Sequence, residues 1–372
     1  MGCAPLQRGF ARNPAAERSR GGSEPAPVEF GGRQPPGRCT QPLALPSPTL
    51  IPLAPLAAIL VSAAAVALLQ GVLRGFALDH PNERSLHAAP VPRTGGLGIL
   101  AGVTAGSLVG GLLAWPLLAG ALTLAAISLV DDIRGLPVLV RFAGHLTVAT
   151  AFVALYWSAF PHPFWAVAAV LALGWMTNLF NFMDGSDGLA GGMALFGFGF
   201  YAASAWMAGD AALASISAVV AAAAAGFLAF NFPPARIFMG DVGSVPVGFM
   251  AGAIGLAGWA EGVWSPWFPV LVFSPFIVDA TVTLLRRALR GERVWHAHRE
   301  HYYQRMVQLG LGHRNTALLW YALMVAAGVS GIWAIRQSGP AQLVMLAAWA
   351  VIYAGLMLWV DRRWAARGPT GA

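Results

Sequence analysis

The chain has 372 residues, of which 57% are hydrophobic and only 10% are charged. Because soluble domains carry about 25% charged residues, this composition excludes a water-soluble enzyme. Apolar runs fill the chain after residue 50, which excludes disorder over most of its length. All 23 basic residues are arginine and the net charge is +7, but they do not form the basic face that nucleic acid requires. We predict an integral membrane protein without a nucleic-acid partner.

Residues 1–48 are rich in Pro, Gly, Arg and Ser and have no helical or strand periodicity, which predicts a disordered tail. Both cysteines, Cys3 and Cys39, lie in this tail, so no disulfide or cysteine–metal framework holds the body together. Because the tail does not resemble a signal peptide, a misassigned start codon is one explanation for it. The chain therefore divides into this tail, a membrane domain over residues 49–361 and a short cytoplasmic tail over 362–372.

Eleven apolar stretches follow the tail, and most approach the length of about 20 residues that a membrane-spanning helix needs. They cover residues 49–73, 95–113, 115–130, 138–158, 163–182, 188–209, 211–231, 243–263, 266–285, 315–335 and 340–360. Only Trp115-Pro116 separates the second stretch from the third, which makes this pair the weakest point of the count. The predicted fold class is an all-α polytopic membrane protein with about eleven transmembrane helices.

The arginines support this topology. With eleven spans, 16 of the 17 arginines beyond the tail fall on one side of the membrane, and only Arg336 falls on the other. We call the first side the Arg-rich face. Since arginine excess marks cytoplasmic loops, the Arg-rich face is predicted to be cytoplasmic in a multi-pass protein of the plasma (inner) membrane.

The acidic residues gather on the same face. Asp131, Asp132, Asp184, Asp187 and Asp241 all fall at predicted helix ends there. Acids at a membrane helix are costly, so they usually have a function. A transporter would place such groups near the midplane of the membrane, whereas this clustering indicates an active site at the surface. By contrast, Asp279 and His145 are expected mainly to pack between helices.

Two motifs stand out among these acids. The segment DDIRGLP begins with Asp131 and Asp132, which point about 100° apart on a helix and either serve different ligands or pair with nearby arginines. In the segment NLFNFMDGSDGL, polar residues recur at every third position and share one stripe while the backbone stays helical. They are Asn178, Asn181, Asp184 and Asp187. Their oxygens suit Mg²⁺ and the polar edge of a nucleotide, although a helix end followed by a turn explains the two acids alone.

Two further motifs carry polar groups. Asp241 follows a glycine just before a span, where a helix N-terminus attracts anions; an ordinary N-cap explains it equally well. The basic loop WHAHREHYYQ contains His296, His298, Arg299 and His301. Because no cysteine is available and the nearby acids suit Mg²⁺ rather than zinc, we interpret this loop as a diphosphate clamp.

These four motifs, together with DHPNERSLHAAPVPRTGG at residues 79–96, resemble the polyprenyl-phosphate N-acetylhexosamine-1-phosphate transferase superfamily over residues 50–360. The resemblance implies that an N-acetylhexosamine 1-phosphate moves from a UDP-sugar to undecaprenyl phosphate and that UMP is released. It implies Mg²⁺ as the cofactor, with Mn²⁺ as a substitute, and a homodimer is common in the family.

The resemblance also assigns roles by position. Asn181 and Asp241 correspond to the metal ligands, and Asp131 and Asp132 to the essential acid pair. Asp184 and Asp187 correspond to the acids on the nucleotide side. The remaining contacts to diphosphate or sugar are assigned to Asn178, His296, His298, Arg299 and His301.

Three points stay open at this stage. The sugar is GlcNAc or a deoxy N-acetylhexosamine such as FucNAc or QuiNAc, for O-antigen or another cell-envelope polysaccharide. Because HAHREH departs from the consecutive histidines of the muramyl-pentapeptide branch, a pentapeptide substrate is the weaker alternative. A transporter of an anionic lipid or sugar is the competing class, and it predicts neither UMP release nor Mg²⁺ dependence.

Overall fold

The computed structural model describes residues 53–72, 78–79, 86, 90–112, 114–294, 296 and 298–367. The predicted disordered tail, half of the motif at residues 79–96 and the last residues of the C-terminal tail lie outside these ranges.

Within the described residues the chain forms thirteen α-helices and one short antiparallel strand pair, β1 (Leu78–Asp79) and β2 (Val91–Pro92). The helices are α1 (Leu53–Val72), α2 (Gly95–Val109), α3 (Trp115–Arg134), α4 (Val138–Ala154), α5 (Pro163–Met183), α6 (Leu189–Met207), α7 (Ala211–Asn231), α8 (Asp241–Ala260), α9 (Trp267–Val272), α10 (Ser274–Leu289), α11 (Tyr302–Met306), α12 (Gly312–Ile335) and α13 (Gly339–Ala365). A 3₁₀ turn at Trp157–Ala159 follows α4, and a π turn at Val307–Leu311 joins α11 to α12. The predicted all-α class is confirmed.

All eleven predicted spans are helical, but they differ in length from the prediction. Among the described residues, eight helices are long and apolar enough to cross a membrane, while α2 and α4 are shorter apolar helices. The stretch 266–285 is divided into α9 and α10 at Phe273. Pro275 in the first turn of α10 has no N–H to continue a helix from α9, which explains the division.

The doubtful pair 95–113 and 115–130 forms two separate helices. α2 ends at Val109, and Gly111 then adopts a left-handed conformation with φ 61°. α3 begins at Trp115 with Pro116 in its first turn, where the missing N–H of proline costs nothing. A glycine after one helix and a proline at the start of the next therefore set this boundary.

The helix α8 lies at the centre of the bundle. In its apolar stretch of 18 residues, 89% is buried, whereas the corresponding stretches of α1 and α13 are 22% and 28% buried. The outer helices expose large apolar side chains such as Leu68, Leu139 and Val351. Such exposure is stable when the surrounding solvent is lipid. This arrangement agrees with a multi-pass membrane protein.

Close backbone contact fixes the start of α8 against the start of α2. A Cβ atom on Gly96 would overlap the backbone of Gly243, and one on Gly243 would overlap Gly96. The backbone N–H groups of Gly95 and Gly96 also donate to the carbonyls of Phe238 and Met239 at 2.9 Å each. The segment before α8 is therefore held in place by the segment before α2.

Candidate active site

Three helix ends bring the predicted acids together on the Arg-rich face. α3 ends there with Asp131 and Asp132, α5 ends just before Asp184, and α8 begins with Asp241. Asp241 interacts electrostatically with both Asp132 and Asp184. The structure thus gathers residues that lie more than 100 positions apart in the sequence.

The two adjacent acids of α3 point in different directions, as helix geometry requires. Asp131 accepts hydrogen bonds from Arg141 Nη1 and from the backbone N–H of Leu136, each at 2.7 Å. Asp132 instead pairs with Arg93 at 3.1 Å. Each acid therefore has its own arginine, and Asp132 also holds the segment before α2 against α3.

A cavity of about 330 Å³ opens beside Asp131, between α3, α4, α5, α8 and α10. Its polar lining residues include Ser128, Asp131, Arg141, His145, Asn178, Asn181 and Asp241. Its apolar lining includes Val138, Phe142 and Leu171, whose side chains are 51%, 44% and 56% exposed on the outside of the bundle. The cavity thus connects a charged pocket with the lipid-facing surface.

The predicted stripe of four polar residues is only half preserved. Asn178 and Asn181 lie on α5 and both line the cavity. The helix then ends, with Asp184 as its C-cap residue, and the chain turns at Gly188 with φ 75°. Helical spacing no longer applies beyond that point, so Asp184 and Asp187 leave the stripe and occupy separate surroundings.

Asp184 lies beside the start of α8. Its carboxylate is hydrogen-bonded to the backbone of Gly240 and interacts with the charge of Asp241. Burial, together with the Asp241 charge, raises the pKa of Asp184 well above its usual value. A cation bound beside these carboxylates would reverse this effect.

Asp187 joins several segments of the Arg-rich face. One carboxylate oxygen accepts a hydrogen bond from the backbone N–H of Ala235 at 2.9 Å, and the other lies 3.5 Å from His313 Nδ1. The second ring nitrogen of His313 lies 3.2 Å from the carbonyl oxygen of Leu86. These contacts are structural, and the predicted nucleotide-side role of Asp187 stays a prediction.

The chemistry of the cavity fits a magnesium ion. Among the described residues no three His, Cys, Asp or Glu side chains are placed to hold a metal by themselves. Mg²⁺ needs fewer protein ligands, because it keeps several waters and binds one or two carboxylates plus substrate phosphates. Asn181 Nδ2 donates to Ser244 Oγ at 3.2 Å, which leaves the amide oxygen as the ligand atom. Asp241 adds a carboxylate in the same cavity.

A buried carboxylate of α10 anchors the basic loop. Asp279 is 2% exposed and accepts hydrogen bonds from the backbone N–H groups of Tyr302 at 2.9 Å and Tyr303 at 3.0 Å. It also lies 3.2 Å from His301 Nδ1. His301 is 3% exposed and precedes α11 in a capping box with Gln304. The structure therefore places His301 beneath the loop, where it supports the loop instead of facing solvent.

The other members of the predicted clamp are more accessible. His296 and Arg299 are exposed, and the ring of His298 lies 4.8 Å from that of His301. Burial, reinforced by the charges of His301 and Arg287, lowers the pKa of His298 to about 4. His298 is therefore neutral at pH 7, so it can hydrogen-bond a diphosphate but adds no positive charge to it.

Glu300 in the same loop is bound by three arginines. It pairs with Arg290 at 2.6 Å, with Arg305 at 3.4 Å and with Arg287. Burial raises the pKa of Glu300, but the Arg290 hydrogen bond and the arginine charges together lower it. Glu300 is thus ionised at neutral pH, and it fixes the basic loop to the end of α10.

Sequence reasoning did not assign Arg93, Arg141 or His145 to the site. Arg141 lies ten residues after Asp131, across the short turn from α3 to α4, and a helical hairpin would bring such residues together. His145 follows Arg141 by four residues, so it shares one helix face with Arg141. It is 6% exposed and packed between helices, as expected, but it also lines the cavity.

The chain is similar to known proteins along most of its length. A family model described as glycosyl transferase family 4 matches residues 114–258. A probable undecaprenyl-phosphate N-acetylglucosaminyl 1-phosphate transferase of Bacillus subtilis is 33% identical over 276 residues, which cover 69% of this chain and 76% of the relative. A decaprenyl-phosphate N-acetylglucosaminephosphotransferase of Mycolicibacterium smegmatis is 32% identical over 354 residues, with 81% and 85% covered. A phospho-N-acetylmuramoyl-pentapeptide-transferase of Geobacillus kaustophilus is 28% identical over 211 residues, with 52% and 63% covered.

Proposed function

Since this chain belongs to glycosyl transferase family 4, we propose that it transfers N-acetylglucosamine 1-phosphate from UDP-N-acetylglucosamine to undecaprenyl phosphate and releases UMP. The names of the Bacillus and Mycolicibacterium relatives both give N-acetylglucosamine as the sugar and a polyprenyl phosphate as the acceptor. The product would begin a lipid-linked cell-envelope polysaccharide, of which O antigen is one example.

The observation that carries this proposal is the cavity with two chemically different walls. Asp131, Asn181 and Asp241 line its polar wall, and lipid-exposed side chains of α4 and α5 line its apolar wall. A reaction between a charged nucleotide sugar and a membrane-bound lipid phosphate needs such a meeting point. We place the Arg-rich face in the cytoplasm, because arginine excess favours that side and nucleotide sugars cannot cross the bilayer unaided.

In the net reaction an oxygen of the lipid phosphate forms a bond to the phosphorus that carries the sugar. The bond between that phosphorus and the oxygen of UMP breaks, and UMP leaves with this oxygen. Such transfer depends on positioning and on neutralising charge. Asp131 and Asp132, each paired with an arginine, are proposed as the essential acid pair, one of which deprotonates or orients the lipid phosphate. His298 and Arg299 are proposed to contact the diphosphate of the donor.

We propose Mg²⁺ as the cofactor, with Mn²⁺ as a substitute, held by the amide oxygen of Asn181 and the carboxylate of Asp241. When bound, the ion would neutralise phosphate charge in the transition state. It would also favour the ionised form of Asp184, which otherwise faces the charge of Asp241.

The test is UMP release by detergent-purified protein supplied with undecaprenyl phosphate and a panel of UDP-N-acetylhexosamines, with and without EDTA. We expect release only with UDP-N-acetylglucosamine, lipid and Mg²⁺ together. Release with a deoxy sugar or the muramyl-pentapeptide donor would replace the sugar assignment. No release with any donor, combined with lipid or sugar movement in proteoliposomes, would favour a transporter.

Two matched variants test the site itself. Asp241→Asn should reduce UMP release roughly a thousandfold or more. The variant lacks the carboxylate proposed to bind the metal ion, and that ion neutralises phosphate charge in the transition state. Asp210→Asn is the control, since Asp210 is the N-cap of α7 at the opposite end of the bundle and its side chain accepts a hydrogen bond from the backbone N–H of Leu213. Wild-type turnover in the folded Asp241→Asn protein would refute the metal assignment.

A further inference from the structure

One histidine inside the bundle is oriented toward the cavity. His145 lies seven residues into α4, which places it about 10 Å below the Arg-rich end of that helix. It is 6% exposed, and it lines the same cavity as Asp131 and Arg141. Arg141 lies one helical turn above it.

The hydrogen bonds of this histidine are incomplete. The ring of His145 lies beside Asn178, whose Nδ2 donates to the carbonyl of Gly174 at 2.7 Å. Within the described part of the chain, His145 Nδ1 is buried and has no partner. A buried polar atom without a partner costs about 1–3 kcal/mol. Although Nδ1 itself is closed off, His145 lines the cavity, so its ring is open to a bound molecule there.

The position of His145 distinguishes between the two substrates. Phe142, one turn away on the same helix, belongs to the apolar, lipid-exposed lining of the cavity. The nucleotide sugar is charged and reaches the cavity from the Arg-rich face. A lipid phosphate that enters between α4 and α5 passes Phe142 and then meets His145 and Arg141.

We propose that the imidazole ring of His145 hydrogen-bonds the phosphate group of the acceptor lipid, with Arg141 supplying positive charge one turn above. This inference rests on the proposed function. A phosphate monoester has its second pKa near 6, so near neutral pH it presents both O–H and O⁻ groups. It can therefore hydrogen-bond the ring in either tautomer. His145 is thus an acceptor-binding residue, separate from the donor-binding loop.

The experiment measures the KM of each substrate in UMP release. His145→Leu should raise the KM for undecaprenyl phosphate at least tenfold and leave the KM for UDP-N-acetylglucosamine within twofold. His145→Gln, which keeps a polar group at this position, should raise the lipid KM less than His145→Leu. Thr147→Val is the matched control, because Thr147 is on the same helix but exposed and bonds only its own helix at Ala143.

A measurement on the wild-type protein does not depend on how the variants fold. With ring-¹⁵N-labelled histidine, farnesyl phosphate should shift one histidine signal that is missing from His145→Gln, and UDP-N-acetylglucosamine alone should not. If His145→Gln does not fold, its spectrum cannot identify the His145 signal. The test is then whether farnesyl phosphate shifts a solvent-protected histidine signal in the wild-type protein.

The outcomes are distinguishable. An unchanged lipid KM in His145→Leu, or a rise in the KM for the nucleotide sugar instead, overturns the assignment of His145 while the proposed function stands. Farnesyl phosphate that leaves every histidine signal in place also overturns it. Absence of UMP release from the wild-type protein refutes the proposed function instead, and the ¹⁵N measurement then still decides whether a prenyl phosphate binds His145.

Discussion

Removing the buried carboxylate of Asp279 should release the basic loop from the membrane body. In Asp279→Ala, the backbone N–H groups of Tyr302 and Tyr303 lose their acceptor, and His301 loses its partner. Hydrogen bonds to charged groups contribute about 1.5–3 kcal/mol each. Loss of the two backbone bonds therefore destabilises α11 by about 3–6 kcal/mol.

This free energy is large enough to measure as local opening. At 1.4 kcal/mol for each factor of ten, the open population of the loop should rise roughly a hundredfold or more. Arg305 on α11 is 11% exposed, so trypsin cleaves after it only when the helix opens. When opening is fast relative to cleavage, the cleavage rate follows the open population. In the same variant UMP release should fall as cleavage by trypsin rises, because the loop that carries His298 and Arg299 is no longer held by Asp279.

Asp210→Ala is the control for this prediction. It removes an N-cap at the other end of the bundle, which costs about 1 kcal/mol, and it should leave cleavage after Arg305 unchanged. Wild-type cleavage and UMP release in Asp279→Ala would show that the loop is held by other contacts, such as the arginine pairs of Glu300.

Two other perturbations test the contacts around the cavity. In Asp187→Ala the bond to Ala235 and the contact with His313 are lost. Amide hydrogen exchange of residues 232–240 should therefore accelerate at least tenfold. Unchanged exchange would contradict the role of Asp187 in holding this segment. His298 has its pKa lowered to about 4 in the folded protein, so the unfolded chain, with an ordinary pKa near 6.5, binds more protons between these values. Stability should therefore fall as the pH is lowered from 6.5 to 4, and His298→Asn should lose less over this range. Equal pH dependence of thermal unfolding in the two proteins would refute the assignment.

The helices and the clustering of the acids were accessible from sequence because both depend on local patterns. Apolar runs of about 20 residues predict spans directly, and alternation of the spans then assigns Asp131, Asp184 and Asp241 to one face. The adjacent acids of α3 were also expected to point apart, and they do so with Arg141 and Arg93 as partners.

The stripe prediction was wrong where local structure changed. Spacing of three residues predicts a shared face only inside a helix, and α5 ends before Asp184. Asp187 then bonds residues 48 and 126 positions away in the chain. Sequence spacing carries no information about partners at such distances.

Histidine roles were the least predictable part of the site. His301 was expected in the clamp by its spacing, and the structure shows it bound to Asp279, which is 22 positions away; its contact with a diphosphate stays a prediction. His145, expected to be packing, lines the cavity. Whether a histidine faces a ligand depends on tertiary neighbours, which a single sequence does not specify.

The apolar wall of the cavity has a consequence for how fast the proposed reaction runs. Because Val138, Phe142 and Leu171 belong both to the cavity and to the outer surface of the bundle, an acceptor entering there stays within the plane of the bilayer. Its supply is then governed by two-dimensional diffusion and by its mole fraction among the lipids. Adding inert lipid at a constant amount of acceptor should slow turnover as dilution in water does for an ordinary soluble substrate.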